Sequence, residues 1–167
     1  MSISMYRLTV PMFQRGIASL KTYLDKAEAY AEEKKIDPTI LVNARLAPDM
    51  LPLSGQYQRA SDSAKFTLAR LTATDAPKFE DNETTIAELR ERMAKTEAYL
   101  AGFSSEALEG SDVKDITVPG RNGLVVPGLE YVALFALPNF YFHVTTAHAI
   151  LRNQGAPVGK RDFLGNF

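Results

Sequence analysis

The sequence predicts an all-α fold: an antiparallel four-helix bundle with a small β-hairpin inserted near residues 113–127. Three observations predict it. Apolar residues recur at helical spacing through four segments. Capping signals and Gly or Pro stops delimit those segments. The one β-branched stretch carries an Asn-Gly turn signal. At 167 residues the chain has the usual length of a single domain with one core, so the bundle is expected to occupy 1–167.

The first long helix is expected from Ser4 to Lys35. Met5, Leu8, Met12, Leu20, Leu24, Ala27 and Ala31 mark its inner stripe. Pro11 should kink it or mark its true beginning, and Gly16 should loosen it. Asp37-Pro38 then reads as an N-cap and first-turn pair opening a short helix that Pro48 terminates. The second long helix runs from about Leu51 to Thr72 on a stripe of Leu53, Tyr57, Ala60, Ala64, Leu68 and Leu71. "TIAE", Thr85 to Glu88, has capping-box spacing and starts a third helix, with Gly102 as its cap. "VKDITVPGRNGLVVP", residues 113–127, is β-branched, and Asn122-Gly123 suits a tight hairpin turn. Helix resumes at about Gly128. Pro138 starts a new helix or kinks the old one, which runs to Asn153 before Gly155 and Pro157 stop it.

Bulk chemistry excludes several function classes. The chain has no cysteine, hence no disulfide, thiolate ligand or cysteine nucleophile. A net charge of -1 with interspersed signs leaves no basic patch for nucleic acid or an anionic membrane. The start, "MSISMYRLTVPMF", lacks the pattern of a signal peptide, and the most apolar run, 131–137, is too short to span a bilayer. The expected location is cytoplasmic.

Both histidines fall in "LPNFYFHVTTAHAILRNQG". A helical residue turns about 100°, so His143 and His148, five apart, point about 140° away from each other. One metal ion cannot chelate both, because helical chelation uses spacings of three or four. Asn139, Phe140, His143, Thr146, Ala147 and Ile150 share one face, taken as buried. Tyr141, Thr145, His148 and Arg152 share the opposite one, which makes His148 a solvated or interface residue. His143 reads as a core histidine with hydrogen-bond partners or as a ligand or base. Tyr57 and Tyr141 stand where they can reach a cavity, although aromatic residues at this spacing are usually core. Glu130 suits a helix start, or a pocket.

"PNFYFHVTTAHAILRNQGAPVGKRDFLG", with the opening "MSISMYRLTVPMFQRGIASLKTYLDKAEAYA" and "LPLSGQYQRASDSAKFTLARL", resembles a bacterial family, domain of unknown function 1993. That family is similar to the DinB-like superfamily of four-helix bundles. The superfamily pattern has three histidines on a divalent metal, one from the second long helix and an H-x-x-x-H pair from the last. Matched to it, His143 is the second of the pair, Asn139 stands at the first, and Gln56 falls near the third. One imidazole and two amides make a weak site for zinc or nickel.

The resemblance therefore implies a degenerate metal site with no cofactor expected, and a low expectation of a divalent metal on His143. It implies a small-molecule-binding or regulatory module with a pocket at His143, Asn139, Gln56, Tyr57 and Thr146. Its alternatives are a metal-dependent or thiol-transferase-like enzyme using His143, and a structural dimerisation protein. A homodimer is expected. "GAPVGKR" departs from the phosphate-loop pattern in glycine spacing, in the residue after Lys160 and in the element before it.

Overall fold

The computed structural model describes residues 4–165; the first residues of the leader reading, 1–3, and the end of the expected domain, 166–167, lie outside the described residues. The elements are α1 (Met5–Lys34), α2 (Pro38–Asn43), α3 (Leu53–Thr72), α4 (Ile86–Ala101), β1 (Asp115–Thr117), β2 (Val125–Pro127), α5 (Gly128–Tyr131), a π-turn (Val132–Ala136), α6 (Leu137–Asn153) and α7 (Lys160–Leu164). The four long helices α1, α3, α4 and α6 form the bundle, and the hairpin sits where the sequence places it.

Local chemistry explains most of the boundaries. Ser4 caps α1 by accepting from the Arg7 amide, so the helix begins before Pro11 and runs through it. Asp37 accepts from the Thr39 amide to open α2, which ends at Asn43, several residues short of Pro48. The Thr85–Glu88 capping box forms in full. In the hairpin, Ile116 pairs with Val126, and Asn122 and Gly123 both take positive φ (48° and 78°). They are the two central residues of a primed turn at the tip. Pro138 lies in the first turn of α6, so a helix starts there as expected. The turn before it widens to a π-turn, with the Leu137 amide donating to Val132 O. This accommodates a residue that has no N–H and that crowds the carbonyl four residues back.

Gly16 has a different role from the one expected. A Cβ there would lie 2.3 Å from the Phe140 ring. The missing side chain lets α1 and α6 approach, and the Phe140 ring sits edge-on to Phe13 at 5.0 Å. The stripes of α1, α3, α4 and α6 converge on one core in which Phe13, Leu20, Tyr57, Leu68, Met93, Phe140 and Val144 are fully buried.

Around the bundle the order is α1, α4, α3, α6. Neighbours are antiparallel along α1/α4, where Lys21 meets Glu97 and Arg90 meets Glu28. They are antiparallel also along α3/α6, where Gln56 meets His143 and Arg70 meets Tyr131. Along α1/α6 they are parallel: Phe13 meets Phe140 and Tyr23 meets His148. It follows that α3 and α4 also run the same way. The connection 73–85 makes this possible by returning along α3. Lys65 Nζ donates to Pro77 O at 2.9 Å, Arg59 pairs with Asp81 at 2.6 Å, and Gln58 donates to Glu83 at 2.9 Å.

Candidate functional site

The α3/α6 seam brings His143 and Gln56 together. His143 Nδ1 lies 2.8 Å from Gln56 Oε1, and Gln56 Nε2 donates to Leu51 O at 3.0 Å. The amide orientation fixes the imidazole: with its nitrogen committed to Leu51, Gln56 offers only an oxygen, so His143 Nδ1 carries the proton. Nε2 is then a lone-pair acceptor. It makes no protein hydrogen bond among the described residues and is not sealed from solvent. Gln56 is buried, His143 half-buried, and the exposed Phe142 ring stands beside the imidazole at 5.3 Å. Burial, and then the nearby Arg59 charge, pull the His143 pKa down to about 4. The ring is neutral at pH 7.

The other expected pocket residues do not join this pair. Asn139 lies one turn before His143 but donates to Ser63 Oγ at 2.7 Å. Thr146 is buried and spends its hydroxyl proton on Phe142 O within its own helix. Tyr57 is the clear correction. Its side chain is fully buried, and its hydroxyl donates to Leu20 O at 2.8 Å across the bundle centre. It belongs to the core because its stripe on α3 faces α1, while Gln56, one residue earlier, faces α6. Tyr141 likewise packs on α1 and donates to Met12 O. Glu130 is exposed in the first turn of α5.

His148 is the second correction. It lies against Tyr23 of α1, with ring centroids 5.4 Å apart, and its Nδ1 is buried without a hydrogen-bond partner among the described residues. The helical-wheel argument treated α6 as having one covered face. α6 is covered on two sides, by α3 and by α1, with Phe140, Val144, Ala147 and Leu151 between them. His143 and His148 occupy opposite edges of that broad buried arc. Their divergence makes them unable to share an ion, and both are half-buried.

No group of three or more His, Cys, Asp or Glu side chains converges among the described residues. Gln56 Oε1 already accepts from Nδ1, and Asn139 is turned to Ser63. One accessible imidazole nitrogen remains, and a divalent transition metal needs three or more protein donors. The residues do not fit the metal pattern.

Sequence reading missed Ser63, Arg59, Arg70 and Tyr131, which line a cleft farther along the same seam. The stripe Arg59, Ser63, Phe66 and Arg70 at spacings of four, three and four was the available signal.

Comparison with known proteins adds two findings. A family model described as domain of unknown function (DUF1993) matches residues 5–164. A crystal structure of a DinB family member protein from Shewanella denitrificans is similar, with 46% identity and a TM-score of 0.92, covering 97% of this chain and 92% of that one. No curated protein matches.

Proposed function

The chain belongs to the domain of unknown function 1993 family, with a DinB-like fold, and we infer that it is a small-molecule-binding module working without a resident metal. The observation that carries this reading is the fixed, neutral His143 imidazole. Gln56 holds its Nδ1–H, and its Nε2 lone pair faces outward beside the exposed Phe142 ring. Such a group accepts a hydrogen bond from a ligand O–H or N–H, while the ring supplies apolar contact. Its low proton affinity makes it a poor general base at pH 7, which favours binding over acid–base catalysis.

The test is NMR of the 15N-labelled imidazoles with phenol as an O–H donor probe. Saturable movement of His143 Nε2, abolished in His143→Ala, is expected. A stoichiometric zinc or nickel ion in the purified protein, lost in His143→Ala, would restore the metalloenzyme alternative.

The self-pairing reading has one specific support. On the outer side of the π-turn and α6, Leu134 is 75% and Phe142 55% exposed, two helical turns apart. A homodimer through this strip scatters light at twice the 18.4 kDa chain mass. Leu134→Glu should return it to a single chain; a wild-type protein already at single-chain mass would sink the idea.

A further inference from the structure

A cleft of about 210 Å³ opens between α3, the π-turn and the hairpin tip, where Phe66, Arg70, Tyr131, Phe135 and Pro119 meet. We propose that it binds a single-ring aromatic carboxylate, with the carboxylate on Arg70 and Tyr131 and the ring against Phe66 and Phe135. The inference is independent of the His143 reading. Arg70 lies fourteen positions beyond Gln56 on α3, about 21 Å along the helix at 1.5 Å per residue.

Charge balance comes first. Asp62 also lines the cleft, but it is spoken for: Lys65, Arg92 and Arg59 all lie within ion-pair distance. Those three cations face Asp62, Asp81 and Glu83, so that cluster is neutral in itself. Arg70 is outside it. Among the described residues no carboxylate reaches Arg70. Its partners are the Tyr131 hydroxyl at 3.2 Å and the Phe66 ring at 5.6 Å. A half-buried guanidinium with only a phenol and a ring beside it leaves an uncompensated positive charge in a concave site.

The second observation is hydrogen-bond capacity. Tyr131 is 2% exposed. Its oxygen accepts from Arg70, and its own proton meets no acceptor among the described residues. Buried hydroxyls normally donate. Guanidinium and phenol thus offer donors side by side, an arrangement that a carboxylate's two oxygens answer with charge-assisted bonds.

The third is shape. The π-turn carries Phe135 four residues after Tyr131, and the two rings stack at 5.8 Å and 25°. With Phe66 across the seam they make an aromatic wall of single-ring size. π-turns within helices are frequent at functional sites. One cation and one phenol suit a monoanion better than a phosphate dianion.

The experiment is a titration of the 15N-labelled full chain with benzoate, benzamide and inorganic phosphate. Benzoate should shift the Arg70 side-chain Nε–H and the Tyr131 and Phe135 amides saturably, with a Kd of ~1 mM, the ordinary range for so small a ligand. Benzamide, isosteric but neutral, should bind at least about tenfold more weakly, since it loses the charge-assisted pair. Arg70→Gln should weaken benzoate by about tenfold and Tyr131→Phe by a smaller factor. Should either variant fold poorly, the wild-type contrast between benzoate and benzamide decides alone. Equal binding of the two probes, tighter binding of phosphate, or shifts centred on His143 instead of Arg70 would overturn the proposal. So would a lack of saturation at about 20 mM, well above the expected Kd.

Discussion

The two flanks of α3 hold polar groups of opposite character. Toward α4 and the returning connection, the buried cations Lys65 and Arg92 meet the acids Asp62, Asp81 and Glu83, and only Arg92 Nε is left without a partner among their side-chain groups in the described residues. Arg92, 2% exposed, reaches Asp62 at 3.1 Å, Asp81 at 3.1 Å and Glu83 at 2.8 Å. Lys65, fully buried, donates to Pro77 O and lies 3.7 Å from the centre of the Phe79 ring. Toward α6 the bonds are single and incomplete: among the described residues nothing takes the His143 Nε2 lone pair or the Tyr131 proton, and no carboxylate reaches Arg70. Polarity within a bundle points to structure when the groups consume one another's capacity. It points to a ligand when capacity is left over. The α4 flank holds the connection that lets α3 and α4 run parallel; the α6 flank has bonding groups to offer.

Removing a partner from the closed flank should have the largest effect. Arg92→Met deletes the one group that joins Asp62, Asp81 and Glu83, leaving three acids close together. Breaking a buried pair from one side costs about 3–5 kcal/mol. Urea unfolding should show that loss, and detachment of 73–85 should appear as faster hydrogen exchange there. A loss below about 1 kcal/mol, the range of surface pairs, would mean that the cluster is solvated and the contrast false.

Acid should separate the two flanks by pH. The His143 pKa is depressed to about 4 by burial and by Arg59. The unfolded chain therefore takes up that proton first, near pH 6.5, and the folded one only near 4. The contribution of neutral His143 is intact above that window and is lost progressively as pH falls through it. On the other flank, burial raises the Glu83 pKa, but hydrogen bonds from Arg92 and Gln58 outweigh it and hold the carboxyl below its ordinary value. Its contribution is present above the unfolded carboxylate range and disappears at lower pH still. Burial also lowers the His148 pKa, so stability measured from pH 7 to 3 should fall in two stages, the first made smaller but not abolished by His143→Leu. A single stage unaffected by that substitution would remove the distinction.

The contrast also explains what the sequence makes legible. Bundle, hairpin and capping box could be read because periodicity, Asn122-Gly123 and Thr85–Glu88 are local signals. The parallel α3/α4 seam could not. It depends on 73–85 folding back, and nothing local in the sequence brings Phe79 and Pro77 beside Lys65, one of the cations that hold it. In the candidate site, the family pattern brought His143 and Gln56 to one place. It gave no warning that Tyr57 faces α1, that His148 packs on Tyr23, or that Arg70 meets Tyr131 sixty-one residues away.

A smaller effect tests the pairing on the open flank. His143→Ala leaves the buried Gln56 oxygen without a donor, which costs about 1–3 kcal/mol. Replacing both partners, as His143→Leu with Gln56→Leu, removes the polar groups together and should cost less than the two single losses added. Strict additivity in thermal unfolding would show that the 2.8 Å contact is not a working hydrogen bond in solution.

The smallest change in stability should come from Asn139→His, and it probes the open flank most directly. Asn139 is half-buried and makes one bond, to Ser63. Ser63 keeps a bond to Arg59 O without it, so the loss should be under about 1 kcal/mol. The substitution creates an i, i+4 histidine pair on α6, the spacing at which two imidazoles on one helix face can share an ion. His143 already presents Nε2, with Gln56 holding Nδ1–H as an orienting partner of the kind metal-bound histidines use. Zinc titration by calorimetry should therefore give a Kd at least about tenfold tighter than wild type, which has a single imidazole there. Unchanged affinity would mean that the α3/α6 seam no longer has the geometry of a metal site, and that its divergence from the superfamily pattern goes deeper than the ligands themselves.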